Sequence, residues 1–197
     1  MRRTVLTTPV ICDVLRLIAL FFCKLLGWKL PRKVSDLQKG VMIGAPHTSN
    51  WDFMVMLMAV LIWRLDVSWV GKHTLFMGPL GPLMRWLGGV PIDRRSKQNF
   101  VQQMVAEFAN REHLLLLIAP EGTRSPVEKW RTGFYFIAHE AGVPIIMSYV
   151  DYKDREVGIA DIVMPTGNAE VEVQKMQDFY ATKHGRHPDN YSGHHGG

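Results

Sequence analysis

After Pro31, short apolar runs rich in β-branched residues alternate with longer stretches whose apolar positions recur at helical spacing. Periodicity predicts strands at 41–46, 67–72, 88–93, 114–120 and 143–151, and helices near 51–64, 77–87, 97–111, 132–141 and 169–183. Strands separated by helix-length segments read as an α/β fold, a single layered domain whose largely parallel central sheet is flanked by helices. Leu114 to Ala119 is apolar at every position, the pattern of a central strand covered on both faces.

From Val10 to Trp28 the chain is rich in Leu, Ile, Val and Phe, interrupted by Asp13, Arg16 and Lys24. As a helix it would be roughly 30 Å long, enough to consider a membrane span. Each central charge costs about 2.5 to 3.5 kcal/mol on insertion, against about 0.3 to 0.6 kcal/mol returned by each large apolar residue, so spanning is marginal. At about 100° per residue the three charges share a narrow stripe, leaving an apolar face that includes Val14, Leu17, Ile18, Phe21, Phe22 and Leu25. That suits an amphipathic helix lying in a membrane interface, with Arg2, Arg3, Lys29, Arg32 and Lys33 drawn to anionic headgroups. It also suits a helix packed on the protein's own core. The expected organisation is residues 1–33 as this helix, 34–184 as the main domain and 185–197 as a flexible tail.

The chain has 197 residues, 47% hydrophobic and 21% charged, which describes one folded domain. Its net charge of +5 favours an anionic partner. The aromatic and Arg residues form no RNA-binding signature, and no zinc-finger or helix-turn-helix pattern accompanies them, so nucleic acid is not an expected partner. Membrane and phosphate remain. Cys12 and Cys23 both lie in the apolar N-terminal stretch and give no disulfide framework. With no cleavage-site pattern near Met1, a reducing, cytoplasm-facing location is expected.

In open α/β sheets, ligands gather beyond the carboxyl ends of strands. Polar groups follow apolar runs at three such places: His47 to Asp52, Asp93 to Arg95 and Glu121 to Arg124. Five positions apart on a helix, His47 and Asp52 would diverge by about 140°, so they meet only across a turn. There Asp52 would accept a hydrogen bond from one imidazole nitrogen while the other takes a proton from a substrate hydroxyl, a contribution of about 10² to 10⁴ in rate. No G-x-S-x-G nucleophile elbow is present, and Ser49 is a poor substitute. On the pair alone, a surface turn histidine and a helix-capping aspartate are the favoured reading. Glu121-Gly122-Thr123-Arg124 adds a turn, a hydroxyl and a guanidinium fork able to hold a phosphate. The scattered His113, His139, His184, His187, His194 and His195 lack the spacing of a metal site.

Over roughly residues 40 to 150 the chain resembles the glycerophospholipid acyltransferase family. Four blocks occur in order: H-x-x-x-x-D as His47 to Asp52, a G-x-x-x-I-D-R-like block as Gly89 to Arg94, E-G-T-R-S as Glu121 to Ser125, and a V-P-I-type strand as Val143 to Ile146. The resemblance implies that His47 is the general base and Asp52 its orienter, with Lys72, Arg94, Glu121, Gly122, Thr123 and Arg124 binding substrate. It implies acyl-CoA or acyl-carrier protein as thioester donor, a phosphorylated lipid acceptor such as 1-acylglycerol-3-phosphate, no metal or organic cofactor, and a peripheral position on the cytoplasmic face of a membrane. The chain departs from the pattern at Lys72-His73-Thr74-Leu75, where many lysophosphatidate enzymes show Lys-Glu-Leu. It departs again at Trp130-Arg131-Thr132-Gly133, where they show Phe-Lys-Lys-Gly. Both changes widen the range of acceptors to other lysophospholipids and acylated amino-acid lipid precursors. With water as acceptor, the same base would make a thioesterase.

Overall fold

In the computed structural model, residues 4–31, 37–92 and 97–191 are described. Strands β1 (Lys39–Ala45), β2 (Val67–Lys72), β3 (Gly89–Ile92), β4 (Leu114–Ile118), β5 (Ile145–Asp151) and β6 (Glu156–Val163) form one sheet in the order β3-β2-β4-β1-β5-β6. All pairings are parallel except β5 with β6. The helices are α1 (Pro9–Leu25), α2 (Trp51–Trp63), α3 (Gly81–Trp86), α4 (Lys97–Asn110), α5 (Gly133–Ala141) and α6 (Ala169–Tyr180), with short 3₁₀ turns at Val5–Thr7, His73–Phe76 and Pro188–Asn190. The layered α/β reading holds.

Alternate residues of the central strands feed two cores. Val41, Ile43, Leu114 and Leu116 pack with Met104, Phe108, Phe134 and Ile137 of α4 and α5 and with Val173 and Met176 of α6. Met42, Leu115 and Ile146 pack on the other face with Val55, Ala59, Val60 and Trp63 of α2. Two-sided burial is why β4 reads as an unbroken apolar run. Helix α2 is likewise apolar nearly all round because it is covered twice: the sheet lies on one side and α1 on the other.

The contact between α1 and α2 is made by small residues. Cys12, Ala19 and Cys23 lie within about 40° of one another on the helix wheel. All three are buried, in company with Leu57, Met58, Leu61 and Ile62. Two of the three charges engage α2 at the flank of that face, Arg16 Nε donating to the Ile62 carbonyl at 3.2 Å and Arg64 pairing with Asp13 at 2.6 Å, while Lys24 is exposed. The large apolar residues face outward, with Leu17 65% and Phe21 62% exposed. A helix stabilised by the protein's own core would bury its bulky face; α1 does the reverse. No helix among the described residues is long and apolar enough to cross a membrane.

Two differences from the sequence reading have physical causes. Strand β6 was not expected. Met147 pairs with Asp161 but Ser148 pairs with Ile159, so Ala160 is an extra residue that breaks the alternation on which strands are recognised. Of residues 185–197, read as tail, the described part 185–191 keeps Gly185 and Tyr191 buried and returns across the loop after β1, while 186–189 are exposed. The predicted 77–87 helix shortens to Gly81–Trp86.

Candidate active site

Strand β1 leads through α2 toward β2 on one side of the sheet, whereas its neighbour β4 leads through α5 to β5 on the other. Their connecting helices lie on opposite faces, so the carboxyl ends of β1 and β4 form the switch point at which open α/β sheets place ligands. The two loops that leave this point are 46–50 and 119–132; they carry His47, Glu121 and Arg124, and the first leads directly into Asp52.

His47 sits in the loop and Asp52 in the first turn of α2, and the turn between them brings the side chains together. Imidazole Nδ1 lies 3.1 Å from Asp52 Oδ2. The same oxygen accepts the backbone N–H groups of Thr48 and Ser49, both at 2.8 Å. Asp52 therefore pins the loop and the imidazole at once, the orienting role, while the N-cap of α2 is Asn50 rather than Asp52. A carboxylate can only accept, so Nδ1 carries the hydrogen, and in the neutral imidazole Nε2 keeps its lone pair. The His47 side chain is 31% exposed, that of Asp52 7%. Ser49 is buried, and its hydroxyl accepts the Trp51 N–H at 3.2 Å.

Glu121 supports the pair from the neighbouring loop. Its Oε1 accepts the His47 N–H at 3.0 Å, and the residue is 4% exposed. Oε2 is buried without a hydrogen-bond partner. Burial pushes the carboxyl up to about 7, against the lowering effect of the His47 N–H. Gly122 follows at φ +68°, and a Cβ there would stand 2.8 Å from Arg131 Nε, so the turn needs glycine. Thr123 is exposed, and its hydroxyl accepts the Ser125 N–H at 3.3 Å. The exposed Arg124 guanidinium donates to the Asn50 side-chain oxygen, which ties the two loops together. Glu121 also lines a polar cavity of about 200 Å³ with Ser125, Glu128, Gln174 and Asp178.

Not every expected residue converges. Lys72 ends β2, exposed on the same sheet edge but two strands from β1. Arg94 lies outside the described residues. Two residues that sequence reasoning missed touch the pair's surroundings. The Tyr152 hydroxyl donates to Asp52 Oδ1 at 2.8 Å, and the Arg186 guanidinium lies 5.1 Å over the exposed Trp51 ring. Neither carries a motif, and they stand 100 and 134 positions beyond Asp52, so no local signal marks them.

A family model described as Acyltransferase matches residues 29–150. A 1-acyl-sn-glycerol-3-phosphate acyltransferase of Haemophilus influenzae is 30% identical over 124 residues, which cover 60% of this chain and 50% of that protein. The chain thus spans about half the length of the curated relative it matches. The crystal structure of the 1-acyl-sn-glycerophosphate (LPA) acyltransferase PlsC from Thermotoga maritima superposes with a TM-score of 0.59 at 17% identity, covering 84% of this chain and 74% of that one. At that identity the likeness is one of fold.

Proposed function

We propose, from the premise that this chain belongs to the acyltransferase family, that it transfers a fatty acyl group from a thioester donor to the hydroxyl of a lysophospholipid, most simply 1-acylglycerol-3-phosphate. The observation that carries the reading is the half-exposed His47 imidazole, tied through Nδ1 to a buried Asp52 at the switch point of the sheet. Nε2 takes the proton of the acceptor hydroxyl as its oxygen attacks the thioester carbonyl. The tetrahedral intermediate expels the thiolate, which recovers the proton from the imidazolium, leaving an ester and a free thiol. No enzyme nucleophile is needed, in keeping with a buried Ser49 that is already engaged.

Arg124, with Thr123 and Arg94, holds the acceptor phosphate, and Lys72 adds positive charge on the same edge. The cavity beside Glu121 is the wrong place for a phosphate, since Glu128 and Asp178 line it as well. The donor is acyl-CoA or acyl-carrier protein. The exposed face of α1 rests in the membrane interface on its cytoplasmic side, with Lys24 and Lys29 near anionic headgroups. The relative's name and its 30% identity support the choice of acceptor.

The test is thiol release from long-chain acyl-CoA by detergent-solubilised protein, with and without lysophosphatidate, in wild type and His47→Ala. Acceptor-dependent release that disappears in the variant is the expected result. Acceptor-independent release would make the protein a thioesterase, and wild-type inactivity with every lysophospholipid and both donor types would overturn the reading.

A further inference from the structure

The carboxylate of Asp52 has an uneven environment. Three N–H groups converge on Oδ2: the His47 imidazole at 3.1 Å and the backbone of Thr48 and Ser49 at 2.8 Å. Oδ1 receives one donor, the Tyr152 hydroxyl at 2.8 Å. Tyr152 lies just after β5, on the far side of β1 from the Glu121 loop. Without its hydroxyl, Oδ1 would lose its partner in a residue that is 6% exposed, and the carboxylate plane would be free to turn and offer either oxygen to the imidazole.

The tyrosine is itself held. Its N–H donates to the His184 carbonyl at 2.9 Å, and its ring meets Trp28 edge-on at 5.2 Å. Burial first, and then the Asp52 charge, push its ionisation well above the usual tyrosine range, so the phenol keeps its proton and remains a donor. Residues 184–187 strap back over the catalytic loop: the His187 N–H donates to Thr48 Oγ1 at 3.2 Å, and Arg186 faces both the Trp51 ring and the Tyr152 hydroxyl. The strap therefore grips the residue that orients Asp52 and the loop that carries His47. Both Tyr152 and the strap lie beyond the family-matched residues 29–150.

We infer that Tyr152 is a positioning residue for the His47–Asp52 pair, locked by the 184–187 strap, and that it fixes which carboxylate oxygen meets the imidazole and how much negative charge that oxygen presents. The inference rests on the proposed role of His47 as base. The charged or titratable groups around the pair are Glu121 on the His47 N–H, Arg124 through Asn50, Arg186 beside Tyr152, and Asp151 with His184 at the root of the strap. Tyr152 stands among these groups and donates to Asp52 Oδ1.

Removing a donor from Oδ1 leaves more negative charge on Oδ2 beside the imidazole, which stabilises the imidazolium. In Tyr152→Phe the imidazolium is therefore held more strongly than in wild type, which the experiment reads as an upward shift. The experiment follows the histidine ring signals of ¹⁵N-labelled full-length protein in detergent against pH, with His47 assigned by the signal missing from His47→Ala. Steady-state kinetics run in parallel. The expected result is an upward shift of the His47 titration, the same shift in the acid limb of kcat/KM, and a fall of about 3- to 10-fold in kcat with the acceptor KM unchanged. A merely structural role would lower the active fraction equally at every pH. Arg186→Lys keeps the positive charge but not the guanidinium that faces the Tyr152 hydroxyl, and gives a smaller shift of the same sign; it decides the matter alone should the tyrosine variant not fold. A His47 titration that coincides with wild type, or moves down, overturns the inference. The titration needs no substrate, so a protein inactive in acyl transfer would sink the functional reading and still leave this inference to be decided.

Discussion

Burial lifts Glu121 to about 7, and that has a consequence for stability. As pH rises from about 4.5 the unfolded chain gives up this proton while the native state keeps it, so the native state binds more protons and stability falls with pH up to about 7. The loss reaches about 3 kcal/mol. Glu121→Gln stays neutral and its carboxamide oxygen still accepts the His47 N–H. Urea melts at pH 5 and pH 8 should show wild type losing stability across that interval and the variant holding it; parallel losses would mean that another group is responsible. For the proposed chemistry, His47→Ala lowers kcat by about 10² to 10⁴, and Asp52→Asn does so by at least about 10² because an amide no longer enforces the Nδ1–H tautomer. Retention of more than a tenth of the activity in either variant would contradict the base mechanism.

At the scale of elements, the first helix is the least ordinary. Its small face binds α2 and its large face meets solvent, so the outward residues contribute nothing to the protein's own core. Replacing Leu17 and Phe21 together with Glu should leave the thermal midpoint within a few degrees and cut cosedimentation with phosphatidylglycerol vesicles by about tenfold or more. A double variant that still binds vesicles as wild type does would remove α1 from the membrane. The loop after β4 makes a different demand. At φ +68° an alanine in place of Gly122 is strained by roughly 1–2 kcal/mol and pushes on Arg131, so Gly122→Ala should depress activity more than Thr123→Ala, as read by kcat/KM.

For the whole molecule, the central strands hold the two loops in register: Ile43 pairs with Ile118 and Met147, just before the residues that diverge into the site. Ile43 is fully buried, so Ile43→Ala should cost about 2–5 kcal/mol, or roughly 2–4 °C of thermal midpoint per kcal/mol. A drop in stability without a matching rise in the His47–Asp52 separation would mean that the loops are held by their own hydrogen bonds, among them the one between Glu121 and His47.

Much of this arrangement was open to reading from the chain. Continuous apolar runs identified β1, β4 and β5, helical spacing placed α2, α4, α5 and α6, and polar groups just past strand ends picked out His47, Asp52, Glu121 and Arg124. These are local signals, because burial on a strand or helix imposes a period that neighbouring positions share. The direction in which α1 turns its apolar face, the bulged β6, Glu121 as a buried strut beneath His47, and the return of residues 184–187 over the loop are decided by tertiary contacts. In each case the deciding partner lies far along the chain, as Tyr152 does from Asp52. A hydrogen bond or a packed face made at that range depends on how the sheet orders its strands, and leaves no period or motif at either end to announce it.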